Sequence, residues 1–132
     1  MNNNKVLITG VAGFIGSNYV HYILENTTDE IYVLDKLTYA GDLRNLESVS
    51  HLSNYNFIQG DICDEKLIQD LFQEYRFNKL VHFAAESHVD NSITGPSEFI
   101  QTNIVGTFNL LNSAYQLWMD GPNRLKQDYR QA

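Results

Sequence analysis

Val6-Leu7-Ile8-Thr9-Gly10-Val11-Ala12-Gly13-Phe14-Ile15-Gly16 decides the fold. An apolar run leads into three glycines spaced three apart, and an amphipathic pattern follows. The reading is strand, tight turn, helix. Such a turn needs glycine because the backbone must bend sharply and let a phosphate come close. The helix after it offers unpaired N–H groups and the positive end of its dipole, which suit a pyrophosphate. The same glycines could serve only the close packing of helix on strand. Their place after a strand, at the opening of a helix and inside a βαβ unit favours a dinucleotide grip. A nucleoside triphosphate loop does not fit, because it needs a Lys-Ser/Thr pair after four intervening residues.

From Phe14 to about Glu25, Ile15, Tyr19, Tyr22 and Ile23 fall at helical spacing, and Asn26-Thr27-Thr28-Asp29 breaks the pattern. Ile31-Tyr32-Val33-Leu34 is a second buried-type strand. It ends on Asp35, nineteen residues after Gly16. A carboxylate there can accept hydrogen bonds from the adenosine ribose hydroxyls and repel a ribose 2′-phosphate, so NAD is favoured over NADP. Lys36 next door weakens that preference. The competing reading of Asp35 is a solvated acid at a strand end.

Lys36 to Asp42 reads as a loop, and Leu43 to about Ser50 as one or two short helical turns. Tyr55-Asn56-Phe57-Ile58-Gln59 alternates like a third strand, closed by Gly60-Asp61. Asp64 can cap a helix whose apolar stripe is Leu67, Ile68, Leu71, Phe72 and Tyr75. Lys79 to Ala84 is a fourth strand. Alternating strands and helices predict an α/β fold, a partial Rossmann domain with a doubly wound parallel sheet in the order 3-2-1-4. Asp61-Ile62 should then reach the adenine side of the crevice, with Cys63 a small buried filler.

Ala84-Ala85-Glu86-Ser87 closes strand four at the topological switch point. Two alanines let a flat ring approach the backbone, and Ser87 can bond a ligand with Glu86 or His88 orienting it. A plain polar loop is an equal alternative. Pro96 suits the first turn of a last helix, from Ser97 to about Met119. Its apolar arc is broad (Phe99, Ile100, Ile104, Phe108, Leu111, Tyr115 and Trp118, widened by Leu110 and Leu117), which predicts burial on more than one side. Residues 1–119 form the dinucleotide-binding part, and 120–132 read as a polar tail or truncated linker. The four histidines show no metal-ligand spacing, so no metal site is expected; His21, His51 and His82 read as structural or surface residues.

With 132 residues the expectation is one small domain. The formal charge of −7 disfavours nonspecific binding to nucleic acid or anionic membrane. A single cysteine, Cys63, rules out an internal disulfide and fits a reducing cytoplasm. The N-terminus lacks the layout of a signal peptide, and no apolar run approaches the ~20 residues of a membrane span.

These stretches resemble the N-terminal part of the dTDP-glucose 4,6-dehydratase family, extended short-chain dehydrogenases/reductases. The likeness rests on Thr9 to Ser17, Asp35 to Gly41, Gly60 to Asp64, Ala84 to Asp90 and Ser92 to Thr107. Asn91 stands where the family more often has arginine. The resemblance implies NAD contacts from Phe14 and Ile15 on the pyrophosphate turn and from Asp35, Lys36, Leu37 and Thr38 on the adenosine. Asp61 and Ile62 would lie near adenine, and Phe83, Ala84, Ala85, Glu86, Ser87 and Thr102 near the nicotinamide. Ser87 would also touch the substrate sugar.

The family converts dTDP-glucose to dTDP-4-keto-6-deoxyglucose, on the route to dTDP-rhamnose, and forms homodimers. Its oxidation uses a Tyr-x-x-x-Lys pair and its elimination an Asp-Glu pair with a neighbouring threonine. The resemblance places both beyond Ala132. Two local matches, Tyr32…Lys36 and Tyr75…Lys79, do not lie on one helix after a fifth strand and are read as chance. The expectation is therefore a truncated dehydratase without catalytic residues of its own, inactive, marginally stable and prone to associate. The alternatives are a non-catalytic NAD-binding module, or a fragment of a related nucleotide-sugar epimerase or dehydratase.

Overall fold

Side chains alternate across a strand, and here the alternation serves two apolar layers at once. The computed structural model describes residues 4–10, 14–36, 44–83, 101–122 and 124–130. Four strands, β1 (Lys5–Thr9), β2 (Glu30–Asp35), β3 (Tyr55–Gln59) and β4 (Lys79–His82), form a parallel sheet in the order β3-β2-β1-β4. This is the expected topology. Leu7, Tyr32 and Leu34 meet Ile68, Leu71 and Phe72 of α2 (Glu65–Tyr75) and Leu110, Ala114 and Leu117 of α3 (Thr107–Trp118) on one face. Val6, Ile8, Ile31 and Val33 meet Val20 of α1 (Phe14–Asn26) and Leu46 and Val49 of a 3₁₀ helix (Arg44–Val49) on the other. Helices on both faces explain why β1 and β2 are nearly continuous in apolar residues.

Local chemistry sets the helix ends. The Asp64 carboxylate accepts the Leu67 N–H at 3.1 Å, as the sequence predicts for an N-cap. Arg76 ends α2 with a left-handed backbone, φ 54°, and donates its N–H to the Phe72 carbonyl. The turn leads Phe77 into a cluster with Tyr32, Phe72 and Tyr75. Trp118 Nε1 donates to the Phe77 carbonyl at 2.6 Å, which fastens the end of α3 to the same cluster.

Two expectations change. The last helix is not a uniform α-helix: Gln101–Gly106 is π-helical, and the α-helix proper is Thr107–Trp118. Residues 97–100 lie outside the described residues. Gly106 stands at the junction, where an added Cβ would collide with the side chain of Ile62. The backbone at this point lies against the Ile62 side chain, so a Cβ would fit only if that side chain moved.

The apolar arc is also not buried on more than one side. Asn109, Leu110, Ser113, Ala114 and Leu117 are buried, while Ile104, Phe108, Leu111 and Tyr115 are about half or more exposed. Only one flank of α3 packs on α2 and the sheet, so residues on the opposite flank face out. Buried Asn109 is accommodated because its side-chain amide donates to the Ile62 carbonyl at 3.0 Å.

Past α3 the chain turns back. Met119 bridges Leu125, Lys126 N–H donates to the Trp118 carbonyl at 2.6 Å, and Tyr129 packs near Trp118. Among the described residues, no helix is long and apolar enough to cross a membrane.

Candidate functional site

Strand register brings the candidate residues to one edge. Thr9 pairs with Leu34 and His82, and Asp35 with Gln59, so all four strands end together at the carboxyl edge. Their continuations stay close: Gly10 N–H lies 3.4 Å from the Leu34 carbonyl, Gly60 N–H 3.1 Å from that of Asp35, and Phe83 N–H 2.8 Å from that of Thr9. In open α/β sheets this edge holds the ligand crevice. The opposite edge is occupied by structural polar bonds. Asn4 N–H donates to Asp29 Oδ1 at 3.0 Å and Lys5 N–H to Asn78 Oδ1 at 2.9 Å.

Gly10 has φ 76°, a conformation glycine adopts without strain, so the first glycine of the motif does what the turn requires. Residues 11–13, including Gly13, lie outside the described residues, and α1 begins directly after them. On its first turn Ile15 is 70% exposed, while Gly16 and Ser17 are buried. Phe14 lies in the helix, but its side chain is outside the described residues.

Asp35 ends β2, partly exposed. Lys36 Nζ lies 3.6 Å from Asp61 Oδ2, and Asp61 Oδ1 accepts the Cys63 N–H at 2.9 Å. The structure thus brings Asp35, Lys36 and Asp61 together across the ends of β2 and β3. Leu37 and Thr38 lie outside the described residues. Ile62 is only 5% exposed and packs in the core. What it could offer a ligand is backbone, not side chain. Burial, followed by the Asp61 carboxylate, raises the Cys63 pKa above its ordinary value, which disfavours the thiolate.

At the β1–β4 side, Phe83 is partly buried, with its ring 5.6 Å from that of Tyr19. Ala84, Ala85, Glu86 and Ser87 lie outside the described residues. So does the side chain of Thr102, whose backbone is in the π-helical segment.

The sequence marks His82 only as a structural or surface residue. It joins three elements: Nδ1 is 2.6 Å from Thr9 Oγ1 and Nε2 is 3.0 Å from Thr107 Oγ1. The signal lay in register, because Thr9 and His82 are strand partners next to the first glycine. Burial lowers the His82 pKa below its ordinary value and favours the neutral ring.

Neither local Tyr-x-x-x-Lys match is built as a base. The Tyr32 hydroxyl donates to the Glu30 carboxylate, and burial with that neighbour raises its pKa. The Tyr75 pKa is raised by the neighbouring Glu74 charge. Lys36 pairs with Asp61. No cluster of metal-ligating side chains occurs among the described residues. The arrangement is equipped to bind and orient.

The family model described as GDP-mannose 4,6 dehydratase matches residues 7–128. The chain is 50% identical over 126 residues to the dTDP-glucose 4,6-dehydratase of Salmonella typhimurium, covering 96% of this chain and 35% of that protein. It therefore spans about a third of the length of such relatives. Among solved structures, DesIV, a dTDP-glucose 4,6-dehydratase from Streptomyces venezuelae with NAD bound, shares 44% identity at a TM-score of 0.79 over 86% of this chain and 36% of that one. A UDP-glucose 4-epimerase from Thermotoga maritima shares 33% identity at a TM-score of 0.75 over 86% and 34%. With most of its length matched and its sheet order that of a partial dinucleotide-binding domain, the chain belongs to the GDP-mannose 4,6 dehydratase family of nucleotide-sugar enzymes.

Proposed function

We propose that this chain is the N-terminal, NAD-binding segment of a dTDP-glucose 4,6-dehydratase, and that it is inactive on its own. One observation carries the reading. A left-handed glycine at the end of β1 lies on the same sheet edge as a carboxylate at the end of β2, as a dinucleotide requires. Gly10, Gly13 and Gly16 with the opening of α1 would receive the pyrophosphate, Asp35 the adenosine ribose, and Asp61 with the Ile62 backbone the adenine side. Phe83 to Ser87 and Thr102 would line the nicotinamide side, and Ser87 the sugar. When bound, NAD would supply hydride acceptance and return; these residues would hold and orient it. The identity to dehydratases over nearly the whole chain favours dTDP-glucose as the substrate of the complete enzyme.

Neither tyrosine in Tyr-x-x-x-Lys spacing supports the role of the base that would take the sugar hydroxyl proton: the Tyr32 hydroxyl donates to the Glu30 carboxylate, and both tyrosines have pKa values raised above the ordinary one. The test is direct. The purified chain should bind NADH, seen as a change in nicotinamide fluorescence, and should form no 4-keto product from dTDP-glucose and NAD. Product formation would overturn the inactivity. Absence of NADH binding by a folded chain would overturn the NAD reading. Tight NADH binding in a stable monomer, with no downstream catalytic segment in the coding sequence, would favour the second reading of a non-catalytic module.

A further inference from the structure

We propose that the Lys36–Asp61 ion pair sets this site's preference between a free ribose 2′-hydroxyl and a ribose 2′-phosphate; the proposal rests on the dinucleotide reading above. The sequence leaves a conflict at this point. Asp35 repels a 2′-phosphate, whereas a cation directly after it could attract one, as an arginine does in sites that accept the phosphorylated ribose. The structure resolves the conflict through a residue from another strand. Lys36 Nζ is 3.6 Å from Asp61 Oδ2, and both side chains keep a little over a third of their surface exposed, 37% and 39%. Asp61 is fixed independently, because its other oxygen accepts the Cys63 N–H at 2.9 Å. The β2–β3 register, with Gly60 N–H on the Asp35 carbonyl, holds the Asp61 turn beside Asp35. Among the described residues, these two carboxylates and one ammonium carry a net charge of −1. A dianionic 2′-phosphate would meet that negative charge, and the one cation of the three is already engaged. A neutral 2′-hydroxyl would meet Asp35 as an acceptor.

The experiment is a titration of the chain with NADH and with NADPH, reading the ratio of the two affinities. The two ligands share their adenine and pyrophosphate, so any effect of a variant on those contacts cancels in the ratio. Asp61→Asn keeps an oxygen for the Cys63 N–H while removing the charge. It should shift the ratio toward NADPH about three- to tenfold, in keeping with a partly exposed pair plus one removed repulsion. Lys36→Gln should shift it the other way. The double variant should lose the gain of Asp61→Asn, because Lys36 is what the gain releases. If Asp61→Asn fails to fold, the Lys36→Gln shift decides, since that side chain is partly exposed and outside the core. Unchanged ratios with NADH still bound would overturn the proposal and leave the dinucleotide reading intact. A folded wild-type chain that binds neither ligand would overturn both.

Discussion

At the scale of single residues, the site is a set of groups whose neighbours decide what they can do. His82 has a half-buried ring that touches Thr9 at the glycine turn and Thr107 at the start of α3. Both hydroxyls can give or accept a proton, so the ring is held in either tautomer, and the cost of charging it is desolvation. Its folded pKa lies below the unfolded value of 6.5. The unfolded chain therefore takes up the proton first, and stability is complete above pH 6.5 and lost as pH falls from there toward the folded pKa. The urea midpoint of the wild type should exceed that of His82→Gln most at pH 8, and the gap should narrow toward pH 5. Parallel curves would show that His82 contributes no such dependence. Asp35 makes a separate prediction. If its carboxylate accepts from the ribose, Asp35→Ala should weaken NADH binding about 10- to 100-fold, the range for hydrogen bonds to a charged group, with the urea midpoint little changed.

At the scale of elements, short-range patterns and the strand order were legible, whereas individual side-chain contacts between elements were not. The apolar runs of β1, β2 and β3 and the Asp64 cap are local rules, and each forms where its rule puts it. Asp64→Ala should lower stability by about 1 kcal/mol, the usual cost of an N-cap. An unchanged urea midpoint would mean that another group takes over the Leu67 N–H. The close contact of Gly106 at the end of the π-helical segment with Ile62 escaped the sequence, because the two residues meet only in the folded chain. Gly106→Ala should cost about 1–3 kcal/mol, because the new methyl must displace Ile62 or lift α3 from the sheet. Ile62→Ala should destabilise by itself, because Ile62 is a core residue, but Gly106→Ala should cost clearly less in that background than in the wild type if the collision is the cause. The Lys36–Asp61 pair and the His82 bridge escaped for the same reason. Each joins residues about 25 or more apart in sequence through strand register, which spacing within one element does not encode.

At the scale of the whole molecule, the balance between a buried and an exposed flank of α3 decides behaviour in solution. One flank is fastened by Leu110, Leu117, Asn109 and Trp118. The other presents Phe108 at 59%, Leu111 at 60% and Tyr115 at 49% exposure, one helical turn apart, with Ile104 continuing the line. A contiguous apolar strip of this kind favours contact with another apolar surface. The opposing term is the net charge of −7, which is long-ranged and screened by salt, whereas apolar burial is short-ranged and unscreened. The two terms separate experimentally. In sedimentation equilibrium the mass of the chain should rise above the 15.1 kDa monomer with concentration, and more steeply at high salt. Phe108→Lys with Leu111→Glu should return it to monomer mass at both salt concentrations. Both side chains are exposed, so the unfolding free energy from urea titration should change by no more than about 0.5 kcal/mol. A wild-type chain that stays monomeric at high salt and concentration would show that the strip is too narrow to overcome the entropy lost on association. The same double variant would then leave the mass unchanged, and the stability of α3 would rest on its buried flank alone.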